Sequence, residues 1–245
     1  MAEFSIRIAG HIARISSLFA STRDYCRNYL TEDIPQFHIT VTREDLVFEQ
    51  EALRQEAIEE GIRIRTFTDP FLERTAIQRK IAEFLFDRNI LMTHGSTVAV
   101  DGKAYLFTAK CGTGKSTHTR LWRQVFGSRA VMVNDDKPFL AVTEEGVLVC
   151  GSPWSGKHGL DCNITVPLQG ICILERGSEN RIRQIAPEEA MPMLLHQSYC
   201  PLESDKHARF QRTVGLLAEK TFLWHMQCNV DPDAAEVSHR AMSKT

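Results

Sequence analysis

The hydrophobic positions of the chain follow two rhythms. Between residues 42 and 61, Leu46, Leu53 and Ala57 recur at helical spacing, behind a Thr42/Asp45 pair that resembles a capping box and ahead of Gly61, a residue suited to ending a helix. A second helix is predicted from Asp69-Pro70. The Asp carboxylate can accept from free first-turn amides, Pro70 suits the first helical position, and Ile77, Ile81, Phe84 and Leu85 keep one face apolar. Both stripes are expected to face a core, and the glutamates from Glu49 to Glu60 are expected to form a solvated face.

From Ser96 the rhythm shortens to the alternation of strands. Thr97-Val98-Ala99-Val100 and Ala104-Tyr105-Leu106-Phe107 are β-type runs joined across Asp101-Gly102, a tight-turn dipeptide, so a hairpin is predicted. Apolar runs at residues 130–133, 147–150, 170–174 and 221–224 read as strands. Helical stretches lie at 115–125 and around 210–217, and Asp231-Pro232 opens a last helix. No internal repeat, low-complexity tract or linker interrupts the chain. The expected organisation is an N-terminal α+β region, residues 1–90, packed on an α/β core with a mixed sheet, residues 91–245.

Composition changes this picture mainly by exclusion. The 245 residues carry 29 Lys+Arg against 31 Asp+Glu, a formal charge of −2, and 43% are hydrophobic. That is enough apolar surface for a folded core without disulfides or structural metal. Near-zero charge and the lack of a dense basic tract argue against nucleic acid and anionic membrane as partners. The N-terminus has no basic start followed by an apolar run, and no stretch approaches the ~18 apolar residues of a membrane span, so a cytoplasmic protein is expected. Seven scattered cysteines without a Cys-x-x-Cys pair read as reduced thiols, mostly small core residues.

The densest chemistry lies in Ala109-Lys110-Cys111-Gly112-Thr113-Gly114-Lys115-Ser116-Thr117, a phosphate-loop pattern with Ala109 in place of the first glycine. Gly112 and Gly114 let the backbone wrap an oxyanion with its amides inward, and the following helix adds the positive end of its dipole. Residues 111–117 are therefore the candidate nucleotide-binding segment. Lys115 can reach the β- and γ-phosphates, and the Ser116 hydroxyl can ligate Mg²⁺. An Ala/Gly-x4-Gly-Lys-Ser/Thr match arises by chance in a chain of this length roughly 2% of the time. Downstream, the predicted strand 130–133 runs into Asn134-Asp135-Asp136. Two carboxylates at a strand end can divide the work, one toward the metal and one accepting a proton from an attacking hydroxyl.

The hairpin directly before the loop distinguishes this arrangement from parallel-sheet NTPases. It resembles the HPr serine kinase and phosphoenolpyruvate carboxykinase superfamily, in which a His-Gly pair precedes the hairpin, the phosphate loop follows and a strand ends in paired aspartates. Here these are His94-Gly95, residues 109–117 and Asp135-Asp136, and the segment Gly151-Ser152-Pro153-Trp154-Ser155-Gly156-Lys157 with Pro167-Leu168 resembles an uncharacterised kinase-related branch. The resemblance implies an HPr kinase/PEP carboxykinase-like nucleotide-binding core. It implies phosphate and Mg²⁺ roles for Lys115 and Ser116, a place for His94 near the reacting phosphoryl group, and base and metal roles shared between Asp135 and Asp136. Of these, Asp135 is expected as the base and Asp136 as the metal-side residue, with either able to serve. Where those kinases carry a downstream acidic metal residue, this chain has Ser155, Gly156, Lys157 and His158. Lys157 reads equally as a cation for a transferring phosphate or as a solvated lysine.

The expected function is an ATP- and Mg²⁺-dependent phosphotransferase acting on a hydroxyl, serine-type, of a small molecule, peptide or small protein. A non-catalytic nucleotide sensor and a phosphatase or phosphorylase stand as alternatives. Nucleotide preference and formation of a homo-oligomer stay open. Trp122 is expected to pack in a core or on the surface, Trp154 has a claim to line a substrate pocket, and His118, His158 and His196 lack metal-ligand spacing.

Overall fold

In the computed structural model, which describes residues 1–59, 61 and 63–244, the chain separates into two units, Met1–Phe84 and Leu85–Thr245. The first begins with a hairpin absent from the sequence reading. Ala9 and Gly10 both take positive φ, 48° and 76°, which matches the twist of a two-residue turn and closes β1 (Ala2–Ile8) on β2 (His11–Ser17) in antiparallel register. A short helix, α1 (Ser21–Tyr25), follows, and β3 (Phe37–Thr40) then pairs parallel to β2.

Two long helices follow, α2 (Arg43–Glu59) and α3 (Asp69–Phe86), close to their predicted spans, with the last two residues of α3 belonging to the second unit. Asp45 accepts from the Thr42 amide at 2.9 Å, the acidic half of the expected capping box. Asp69 does not cap α3: the amides of Phe71 and Leu72 go to the Thr68 carbonyl, and the Asp69 carboxylate pairs with Arg43. The acidic stretch is not uniformly solvated either. Glu49 is buried against Arg79 at 2.6 Å, while Asp45 holds Lys80 at 2.6 Å. Burial pushes the Glu49 carboxyl up against the opposing pull of Arg79. Glu60, the last glutamate of that stretch, lies outside the described residues.

The second unit is built on one mixed nine-stranded sheet. Its strands are β4 (Ile90–Met92), β5 (Ser96–Val100), β6 (Lys103–Thr108), β7 (Ala130–Asn134), β8 (Phe139–Val142), β9 (Val147–Cys150), β10 (Thr165–Arg176), β11 (Arg181–Gln184) and β12 (Phe222–Cys228). The spatial order is β4-β8-β9-β10-β6-β5-β7, with β12 on β10 and β11 on β12. The long β10 organises the sheet. Its first residues pair antiparallel with β9, and its remainder runs parallel to both β6 and β12.

Helices cover both faces: α4 (Lys115–Phe126) and α7 (Asp233–Met242) on one, α5 (Pro187–Gln197) and α6 (His207–Glu219) on the other. Alternation along β6 fixes this. Leu106 joins Leu194, Phe210 and Val214, whereas Tyr105 and Phe107 join Leu121, Trp122 and Ala235. Trp122 is thus a core residue. The expected hairpin is present, with Asp101 and Gly102 at φ 51° and 79°. Cys26, Cys150 and Cys172 are buried, but Cys111 and Cys200 are exposed, so the thiols are less uniformly internal than expected. Among the described residues no helix is long and apolar enough to cross a membrane.

Candidate functional site

The site begins where β6 delivers the chain into the loop before α4. Ala109 is fully buried and keeps an ordinary negative φ, so its methyl group is tolerated where a glycine is usual. Gly112 and Gly114 have φ of 74° and 125°, and a Cβ at Gly112 would meet nothing within 4 Å. These glycines are required by backbone conformation rather than by space. The Thr113 amide turns back to the Lys110 carbonyl at 3.2 Å, and the first α4 bond runs from the His118 amide to Gly114 O at 2.9 Å. No side chain caps this helix end, so its first-turn amides remain available to an anion. The buried Lys115 Nζ donates to Ala109 O at 3.0 Å, inside the same loop; Ser116 and Thr117 are half-buried, and Cys111 is exposed.

The sheet brings the carboxylates to this edge indirectly. β5 lies between β6 and β7 and is antiparallel to both, so the ends of β6 and β7 and the start of β5 share one side. His94 and the Asp135-Asp136 pair therefore lie on the loop's edge of the sheet. Asn134 shapes the turn: its Oδ1 accepts from the amides of Asp136 (2.8 Å) and Lys137 (2.7 Å), and its Nδ2 donates to Ser152. Asp135 is buried and accepts from Ser96 Oγ at 2.6 Å; Ser96 also bonds Thr119 of α4 at 2.7 Å. Asp136 is more open and faces His94, with Nε2 to Oδ1 at 3.3 Å.

The two aspartates thus differ in exposure and in hydrogen bonding. Burial raises the Asp136 carboxyl above the usual carboxylate range, opposed by Lys137 and Lys115 and reinforced by Asp135. Burial, together with the charges of Lys137, Lys115 and His196, pushes His94 down to about 2. The imidazole is neutral at ordinary pH, so its contact with Asp136 is not a full ion pair. Its backbone is fixed as well: the His94 amide donates to Gln197 O at 2.7 Å, and its carbonyl accepts from Thr108 Oγ1 at 2.9 Å.

The 151–164 segment closes over the end of β7. A Cβ on Gly151 would lie 1.8 Å from Cys162 O, and the Cys162 amide bonds Val133 O, so only glycine fits there. Gly156 lies against Asp136, where an added Cβ would approach Asp136 Cβ to 3.3 Å. Lys157, next in a 3₁₀ turn, is exposed and makes no hydrogen bond or ion pair with the described residues. Trp154 is buried, and its carbonyl accepts from the Lys137 amide.

Four participants carry no sequence signal of their own: Ser96, Thr119, Lys137 and Arg176. Arg176, at the end of β10, donates Nε to Thr113 O at 3.2 Å and Nη2 to Gly112 O. Asn134 could have been read as a turn former beside the aspartates. Among the described residues no three His, Cys, Asp or Glu side chains converge as a metal cage. The Ser116 hydroxyl and the Asp135 and Asp136 carboxylates are hard oxygen donors, the kind of group that could hold a Mg²⁺ ion.

The described fold is a mixed α/β protein with mixed sheets. No family model matches the sequence, and no curated protein matches it. Among solved structures, the chain is similar to the HPr(Ser) kinase/phosphatase from Coxiella burnetii, with a TM-score of 0.38 and 10% identity over 63% of this chain and 99% of that one. This is a distant resemblance of fold.

Proposed function

We propose that the chain is an ATP- and Mg²⁺-dependent phosphotransferase that moves the γ-phosphoryl group to a hydroxyl of a small molecule, peptide or small protein. One observation carries the reading: β5 aligns the glycine loop, the neutral His94 and the two aspartates on a single sheet edge. In this reading, residues 111–117 bind the nucleotide phosphates through backbone amides, and Lys115 offsets their charge. Ser116 and Asp135 would hold Mg²⁺, whose charge would neutralise the transferring group.

The different environments of the two aspartates support an exchange of the roles expected from sequence. Asp135 is committed to Ser96, whereas Asp136 is more open and has a raised affinity for protons, as suits a base that takes the acceptor's proton. Neutral His94 orients it. Lys157, at the mouth beside Gly156, is a candidate contact for an anionic acceptor.

The test is incubation of the purified chain with γ-labelled ATP, Mg²⁺ and pools of metabolites and peptides, beside Lys115→Ala and Asp136→Asn. Transfer is expected in the wild type only, with nucleotide binding retained by Asp136→Asn. Equal labelling by Lys115→Ala would overturn the reading. Binding without transfer to any pool would favour the sensor alternative.

A further inference from the structure

The strand β10 contributes a group to the phosphate loop from outside the motif. Arg176 is the last β10 residue, and parallel pairing with β12 extends to Arg176 opposite Cys228. The next residue is tied down as well, its amide donating to Cys228 O at 3.0 Å. The guanidinium therefore projects from a braced strand end. It donates through two different nitrogens to two successive loop carbonyls, Gly112 O and Thr113 O.

Two fixed carbonyls define two peptide planes. In a trans peptide the N–H points opposite to the C=O, and no cis bond occurs among the described residues. Holding Thr113 O toward Arg176 turns the Gly114 amide the other way. Holding Gly112 O turns the Thr113 amide toward Lys110 O, where it is found. Because Gly112 and Gly114 have wide conformational freedom, this loop would otherwise sample many arrangements, each misdirecting an amide. Arginine suits the task because its planar fork reaches both acceptors at once, which a lysine ammonium on a flexible stem does not reproduce.

We propose that Arg176 is a positioning residue for nucleotide binding, fixing the Gly112–Gly114 peptides so that the loop is organised before a polyphosphate arrives. This rests on the nucleotide-binding reading of the loop. A preorganised cradle binds more tightly because less ordering remains to be done on binding.

The experiment uses the full chain and ATP with Mg²⁺, titrated calorimetrically into wild type, Arg176→Ala, Arg176→Lys, Lys115→Ala and Arg181→Ala, with amide hydrogen exchange followed at residues 111–114. Arg176→Ala is expected to raise Kd about tenfold and to speed exchange in the loop alone, Arg176→Lys to recover part of both, and Arg181→Ala to change neither. Arg176 is exposed, so folding of these variants is expected to be normal and is checked by circular dichroism. If Arg176→Ala misfolds, Arg176→Lys decides: wild-type Kd and exchange there overturn the fork argument. Unchanged affinity and exchange in Arg176→Ala, with binding lost in Lys115→Ala, would sink the positioning role and leave the nucleotide site standing. Undiminished binding by Lys115→Ala would sink both.

Discussion

His94 stays unprotonated far below the pH at which a free imidazole titrates, and His118, enclosed beside Trp122 and Ser238, is held down to about 4 by burial. Between pH 6.5 and those values the unfolded chain binds protons that the folded chain refuses, so acidification favours unfolding. The stability is intact above about pH 6.5 and is lost as pH falls. Replacing His94 with Gln should flatten this acid limb by about 2–3 kcal/mol at pH 4.5, measured by denaturant unfolding across pH. Asp136 has the opposite sign. Its raised carboxyl disfavours the folded state as pH rises through the carboxylate range, so Asp136→Asn should raise the thermal midpoint at pH 7 while abolishing transfer, the trade expected of a functional carboxylate. Gly112, Gly114 and Lys115 were legible because the loop's demands are local: positive φ and a cation at fixed offset. Ser96, Thr119 and Arg176 were not, because each acts on a residue that only sheet order brings near.

At the scale of elements, local chemistry was readable wherever a turn or cap announced itself. Asp101-Gly102 marked the β5–β6 hairpin, and β9 has its predicted span. The first hairpin turns through Ala9-Gly10, without the usual Asn or Asp, and the short β4 and β8 offer too few alternations to count. Helix α5 carries Pro192 inside it, which masks a helical reading. Gly102→Ala should destabilise by about 1 kcal/mol through backbone strain alone, since nothing lies within 4 Å of the new Cβ; the denaturation midpoint checks this. Gly151→Ala should be far more disruptive to function. Its Cβ would collide with the Cys162 carbonyl, displacing the segment that packs against Asp136, and transfer should fall at least tenfold in a kinase assay.

For the whole molecule, the sequence placed a boundary near residue 90, whereas the structure divides at Phe84 and Leu85. The difference has a physical basis. Phe86 belongs to the core that contains Leu91, Leu140 and Val214, and Arg209 of α6 bonds Asp87 and Asn89, so the end of α3 and its turn serve the second unit. Phe86→Ala should therefore destabilise the second unit by about 3–5 kcal/mol, the usual loss for a buried Phe, as read from urea unfolding. The strand order was not legible at all, because β10 gathers partners from distant parts of the chain.

The place of β5 between β6 and β7 has one further consequence. Neighbouring strands sit roughly 4.8 Å apart, so an intervening strand keeps the ends of its two flanking partners about 9–10 Å from one another. A packed sheet hardly compresses, and this interval acts as a gauge. Main-chain geometry thus sets the interval, and side chains reaching inward close it: the Ser96 hydroxyl spans from Thr119 on α4 to Asp135 beyond β7.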